Sequence, residues 1–147
     1  MVKELNSLEE CINKGLLRKV PPSKSKAIES LKKAKIMLEE ARDNLDAMRI
    51  NSAVIVAYLA MFNAAKAILF RDGFREKSHV CVARYLENKY AQSGKISFEH
   101  IELLDRFRSS RHATQYDVSY YPSKKEAEQM INFAEEFVDK IKNILKE

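Results

Sequence analysis

Arg106, Arg108, Arg111 and His112 fall within seven consecutive residues and are followed by Gln115, Tyr116 and Asp117. Guanidinium groups bind phosphate through planar sets of N–H donors, and an imidazole beside them can move a proton near neutrality. The segment that carries them begins as an amphipathic helix. Ser97 is its N-cap, Ile101 and Leu104 are its first inward residues, and Arg108, Arg111 and Gln115 continue the same side. An inward stripe that turns from leucine to arginine needs acceptors, because an unpaired buried charge costs several kcal/mol. Two readings meet that need. Asp105, Asp117 or an acid on another helix neutralises the arginines internally, or this end of the stripe lines a groove or subunit interface and receives phosphate.

The elements that must position this cluster are helices. Ala53 to Phe62 is an unbroken run of ten apolar residues, and the run resumes after Asn63 as far as Phe70. A bilayer span needs about 20 such residues. Here Asn63 and Lys66 sit inside the run and Arg49, Arg71 and Asp72 bound it, so the segment reads as a central buried helix over 52–70, stopped near Gly73. Before it, Ala27, Leu31, Ala34, Leu38, Ala41, Leu45 and Met48 alternate steps of four and three, the spacing of nearly antiparallel bundle packing. Lys32, Lys33, Glu39, Glu40 and Asp43 form that helix's solvated face.

After the central helix, Ser78 caps a helix with His79, Val82, Ala83, Leu86 and Tyr90 inward, ended by Gln92-Ser93-Gly94. The last helix starts at Ser123, with Glu126 at capping-box spacing, and turns Ala127, Met130, Ala134, Phe137, Ile141 and Ile144 inward. At the N-terminus, Leu5 to Ile12 predicts a short helix ended by Gly15. Leu16 to Ser25, with Pro21-Pro22 and basic residues, reads as a linker and secondarily as a basic arm. The expected fold is all-α: an up-and-down bundle of about five main helices plus the short N-terminal helix. It forms one domain over 1–147, with 1–22 as helix and linker and 23–147 as the bundle.

The 26 basic and 21 acidic residues are interspersed, so the net charge of +5 is compatible with a polyanionic partner without requiring one. Cys11 and Cys81 are far apart, with no CxxC pair and no secretory signal before them, which predicts two free thiols in a reducing cytoplasm. His79 and Cys81 make a poor metal pair and no second cluster completes four ligands, so neither a metal nor a cofactor is expected. His100 has no partner visible in the sequence and is expected at the surface.

Two stretches carry a family resemblance. One is the buried run Ala57-Tyr58-Leu59-Ala60-Met61-Phe62-Asn63-Ala64-Ala65-Lys66-Ala67-Ile68-Leu69, followed by Lys77-Ser78-His79. The other is Arg111-His112-Ala113-Thr114-Gln115-Tyr116-Asp117. In this order and spacing they resemble the HEPN family of prokaryotic helical-bundle proteins, from about Ser23 to the C-terminus. The resemblance implies a bundle that dimerises with the arginine motifs of two protomers facing across a cleft. In the competent branches that cleft cuts RNA without metal, and some members are toxins paired with a small nucleotidyltransferase. Their motif is an arginine, commonly a polar residue just after it, and a histidine four to six residues on.

Arg111 matches the arginine and His112 the polar follower, while Tyr116 stands at the histidine position and resembles a branch that carries tyrosine there. A phenol ionises near pH 10 and is a poor general base at neutrality, although it can donate a hydrogen bond. Arg106 with His112 satisfies the bare spacing in a second register. His79 resembles a recurrent family histidine, where its ring would cap backbone donors or extend the groove. The resemblance thus implies a homodimer with Arg111, His112 and Tyr116 at a catalytic position, Arg106 and Arg108 holding nucleic acid, and RNA or a nucleotide as ligand, with no membrane partner. The alternative is a non-catalytic binding module or a structural partner of a nucleotidyltransferase.

Overall fold

Serines set most of the helix starts. In the computed structural model, which describes residues 7–147, Ser7, Ser23, Ser78, Ser97 and Ser123 each accept a hydrogen bond from the backbone N–H three residues on. They open α1 (Leu8–Asn13), α2 (Lys24–Asp46), α4 (His79–Leu86), α5 (Phe98–Tyr116) and α6 (Lys124–Leu145). Each cap satisfies a donor that the first turn leaves orphaned. α3 (Ile50–Asp72) starts without a side-chain cap and owes its place to burial. The result is the expected all-α bundle of five main helices and a short N-terminal one.

α3 is the axis. α2 packs along it most extensively, α6 and α5 cover further sides, and α4 meets it from Tyr58, beside His79, to Asp72, which accepts from Tyr85. Ala53, Ala57, Ala60, Ala64, Ala65 and Ala67 are all fully buried, and Ala27, Ala34 and Ala41 of α2 are buried with them, so small side chains let the backbones approach. Met61 and Ile68 fill the remaining space with no exposed surface. Truncating either to Ala would cost about 2–5 kcal/mol. The polar atoms in this seam are satisfied: Ser30 donates to the Asn63 carbonyl at 2.7 Å, and the Asn63 amide donates to the Leu59 carbonyl at 2.8 Å. α3 is long and apolar enough to cross a membrane, but 61% of its most apolar window is buried by the protein's own helices. Its hydrophobicity is therefore spent on the core.

Several local expectations change. Leu5 lies outside the described residues, so the N-terminal helix is seen only as Leu8–Asn13. The expected linker contains a strand, β1 (Leu17–Lys19), antiparallel to β2 (Phe74–Glu76) and extended by bonds from Val20 N–H to the Gly73 carbonyl and from Lys77 N–H to the Leu16 carbonyl. Each strand is three residues long, too short for a period to show in sequence. Gly73 makes this pairing feasible. It sits at φ 85°, and a Cβ there would lie 2.7 Å from the Val20 carbonyl oxygen. Met48, expected inward, is 61% exposed at φ 61° in the α2–α3 turn.

Cys11 and Cys81, expected as free thiols, form a disulfide. α1 lies against the start of α4 and holds their Cα atoms 5.8 Å apart, within bridging range. A pair separated by 70 residues is brought together only by tertiary packing, and bridged cysteines do not point to a reducing compartment. His100 is also not a free surface residue, since its Nε2 lies 3.1 Å from Glu136 Oε1 on α6.

Candidate functional site

The second half of α5 is where the leucine stripe gives out. Ile101, Leu104 and Phe107 are buried, and the positions beyond them on the inward side, Arg108 and Arg111, are half-buried against α3 and the start of α4. They open on a pocket of about 480 Å³ that His79, His112 and Asp117 also line.

The arginines differ in how they are satisfied. Asp105 receives Arg108 from the same helix and Arg84 from α4, so that carboxylate is shared between two guanidinium groups. This is the internal pairing expected for Arg108. Arg111 has no such partner. Among the described residues no carboxylate lies within ion-pair distance of it; its Nη1 donates to Gln115 Oε1 at 3.2 Å, and its buried Nε has no acceptor. The guanidinium carbon stands 5.0 Å from the centroid of the Tyr58 ring, a cation–π contact that holds the charge without neutralising it. A half-buried guanidinium without a counter-charge is able to pair with an anion.

His79 belongs to this site through its ring, whereas the capping of α4 falls to Ser78. Nδ1 lies 2.9 Å from the Tyr58 hydroxyl, and the imidazole stacks on Phe62 with centroids 3.9 Å apart. Burial pushes the Tyr58 phenol up to about 12, so the hydroxyl keeps its proton. Tyr58 as donor to Nδ1 would leave the remaining ring proton on Nε2. Burial is also the main cause that lowers the His79 pKa; Arg111, Arg108 and Lys66 lower it further and Glu76 opposes them. At neutral pH this ring is an uncharged imidazole beside two cations.

The remaining predicted residues separate. His112 lines the Arg111 pocket, and its ring lies 4.8 Å from that of Tyr116. Tyr116 is 61% exposed and lines a neighbouring pocket with Tyr120 and Tyr121. Arg106 projects from the other side of α5, 5.8 Å over the Phe107 ring, and does not line the pocket of Arg108 and Arg111. Tyr58 and Asp105 are the groups that sequence reasoning passed over as parts of the site. Tyr58 stood in the apolar run and read as core filling. Asp105 was visible only as one of several acids that could pair an arginine.

An all-α bundle with an arginine-rich stripe on its fifth helix defines a class, and comparison with known proteins gives the family. The HEPN domain model matches residues 27–144, and this chain belongs to the HEPN family. Two similar proteins come from Methanocaldococcus jannaschii. "Putative toxin MJ0605" is 32% identical over 118 residues, covering 76% of this chain and 87% of its own. "Putative toxin MJ0142" is 24% identical over 115 residues, 78% of each chain.

Proposed function

We propose that this protein is a toxin-type HEPN component whose Arg111 pocket binds the phosphate of an RNA strand and cuts it without metal. The single observation that carries the reading is Arg111 itself, half-buried, with no carboxylate within ion-pair distance among the described residues. Leaving a cation so placed stabilises the chain less than pairing it would, and an anionic ligand accounts for the arrangement. The names carried by the two archaeal relatives agree with a toxin role.

In the proposed step the 2′-hydroxyl attacks the adjacent phosphorus. The O–P bond forms as the bond to the 5′ oxygen breaks, leaving a 2′,3′-cyclic phosphate on one product and a 5′-hydroxyl on the other. Arg111 stabilises the charge that builds on the non-bridging oxygens. His112 lines the same pocket and Tyr116 does not, so His112 takes the 2′ proton while a solvent water protonates the departing 5′ oxygen. His79, carrying its proton on Nε2, supplies a neutral donor to phosphate.

The protein acts as a homodimer in this proposal. Tyr116, Val118 and Tyr121 are 61%, 91% and 75% exposed at the end of α5 and the loop after it, directly beside the pocket. A two-fold contact through them would cover the apolar surface and bring two Arg111 pockets together. The test is incubation of purified protein with mixed RNAs, with and without chelator, beside Arg111→Ala. Chelator-insensitive cleavage ending in cyclic phosphate, and lost in Arg111→Ala, is expected; RNA affinity unchanged by Arg111→Ala in a folded protein overturns the reading. A dimeric mass by light scattering at micromolar concentration is expected alongside, and a strictly monomeric one removes the two-fold arrangement.

A further inference from the structure

The lysines of α2, read in the sequence as a solvated face, do not stand alone. Lys26, Lys32 and Lys33 line a groove of about 450 Å³ against α3, where Lys66, Asn63 and Phe70 form the opposite wall. Among the described residues Glu29 is the one acid that lines it, and of the four ammonium groups only that of Lys66 is held by an acid outside the groove, Glu76.

This groove is joined to the Arg111 pocket by a short bridge of named contacts. Lys66 Nζ lies 5.5 Å from the Phe70 centroid and 5.6 Å from that of Phe62, and also 3.4 Å from Glu76. Phe62 is stacked on His79, and His79 lines the Arg111 pocket. The Lys66 charge reaches far enough to lower the His79 pKa. Two clusters of cations are therefore separated by a half-exposed aromatic pair, the interleaving of charge and π-face that single-strand grooves use.

We propose that the α2–α3 lysine groove is a second binding segment for the same RNA, holding single-stranded backbone that flanks the nucleotide in the Arg111 pocket. The proposal rests on the reading of that pocket as an RNA site and extends it. The strand passes from Arg111 across the Phe62–His79 step to Lys66, then along α2, where Lys26 and Lys33 are seven residues apart on one helix and so about 10 Å apart along its axis. A continuous polyanion is the ligand class that uses both ends at once; a mononucleotide would occupy only one.

The experiment measures binding of 2′-O-methyl oligouridylates, which lack the attacking hydroxyl, at lengths of about 4 and about 12 nucleotides, within the site sizes of single-strand grooves. For the wild-type chain the longer strand should bind at least about ten-fold tighter. The double variant Lys26→Gln/Lys33→Gln should lose about that factor for the long strand, leave the short strand within about two-fold, and reduce the slope of log affinity against log salt by about 1.4 for the long strand. Both lysines are exposed on α2, so the variant keeps its fold, which circular dichroism checks. Long-strand affinity and salt slope unchanged in the double variant, with Arg111→Ala still weakening the short strand, overturn the groove alone. Failure of either strand to bind the wild type, or short-strand binding indifferent to Arg111→Ala, overturns the pocket and the groove together. Displacement of the long strand by poly-glutamate of matched charge as effectively as by unlabelled oligonucleotide overturns the assignment to a nucleic-acid strand in favour of an acidic protein.

Discussion

Arg71 and Arg111 are both half-buried arginines near the C-terminal ends of long helices, and the protein treats them in opposite ways. Arg71 is fully engaged. Its Nε donates to Asp72 at 3.2 Å, one terminal nitrogen to the Ile144 carbonyl at 2.8 Å and the other to the Tyr90 hydroxyl at 2.7 Å. Asp72 in turn accepts from Tyr85 at 2.7 Å and from Tyr90. Burial and the Asp72 hydrogen bond push the Tyr90 phenol up to about 12 and raise that of Tyr85 strongly, so both stay protonated as donors. That network ties the ends of α3 and α6 to α4 and the π-helical turn after it (Glu87–Ala91). Arg111 has an aromatic face, one glutamine and an empty-handed Nε. One arginine is engaged in structure; the other keeps no counter-charge and is the one proposed to meet a ligand.

The largest effect should come from exchanging these fates. Arg111→Ala should lower RNA cleavage by about 100- to 1,000-fold, the usual cost of removing a group that stabilises transition-state charge, while thermal melts move by no more than about 1 kcal/mol. Arg71→Ala should do the reverse. It strands Asp72 and the two tyrosines, costing about 2–4 kcal/mol, roughly 5–10 °C in Tm for a domain of this size. If both variants lose stability equally, the distinction between them is gone.

Asp105 offers a way to sharpen it. Arg108 and Arg84 share this carboxylate, and Arg84 also has Glu87 at 3.8 Å, so Asp105→Asn should leave Arg108 without its counter-charge and cost about 1–3 kcal/mol in a denaturant titration. Arg108 would then resemble Arg111. RNA affinity at low salt should rise, and its log–log salt slope should steepen by about 0.7 for one added phosphate contact. Weaker binding with a flatter slope would mean that Asp105 orients Arg108 for the ligand rather than restraining it.

The sequence made the scaffold legible because helix signals are local. Serine caps sit three residues from the N–H they satisfy, and the stripes of α2 and α6 need only their own spacing. The family resemblance to HEPN proteins held for the same reason, since its two stretches are each contiguous. What was hidden depends on contacts between distant residues. Cys11 meets Cys81, Leu17 pairs with Glu76, and His100 meets Glu136 only after the helices pack. In the site, the break in the α5 stripe was visible in advance, but not which arginine would lack a partner. That depends on Asp105 pointing to Arg84 and Arg108 and away from Arg111. The second register, Arg106 with His112, fitted the spacing equally well; only the direction of Arg106 off the helix separates it from the pocket.

The smallest expected effect tests whether His79 belongs to the reserve side of the comparison. Its pKa in the folded chain lies below the ordinary value of 6.5, from burial first and from Arg111, Arg108 and Lys66 next, with Glu76 opposing. As pH falls through 6.5 the unfolded chain takes up this proton before the folded one does. Stability is therefore fully present above pH 6.5, declines below it, and levels off once the folded-state pKa is passed. The ring is half exposed, so solvent screening keeps the slope well below the limit of about 1.4 kcal/mol per pH unit. His79→Phe preserves an aromatic ring against Phe62 and removes the titration, so melts compared at pH 7.5, 6.5 and 5.5 should lose that part of the decline. Binding should move the other way. A phosphate in the pocket favours the imidazolium, so wild-type affinity for the short oligouridylate should rise as pH drops across the same window, and His79→Phe should flatten the rise. A stability difference without a binding difference would assign His79 to the core beside Tyr58 and leave the pocket to Arg108, Arg111 and His112.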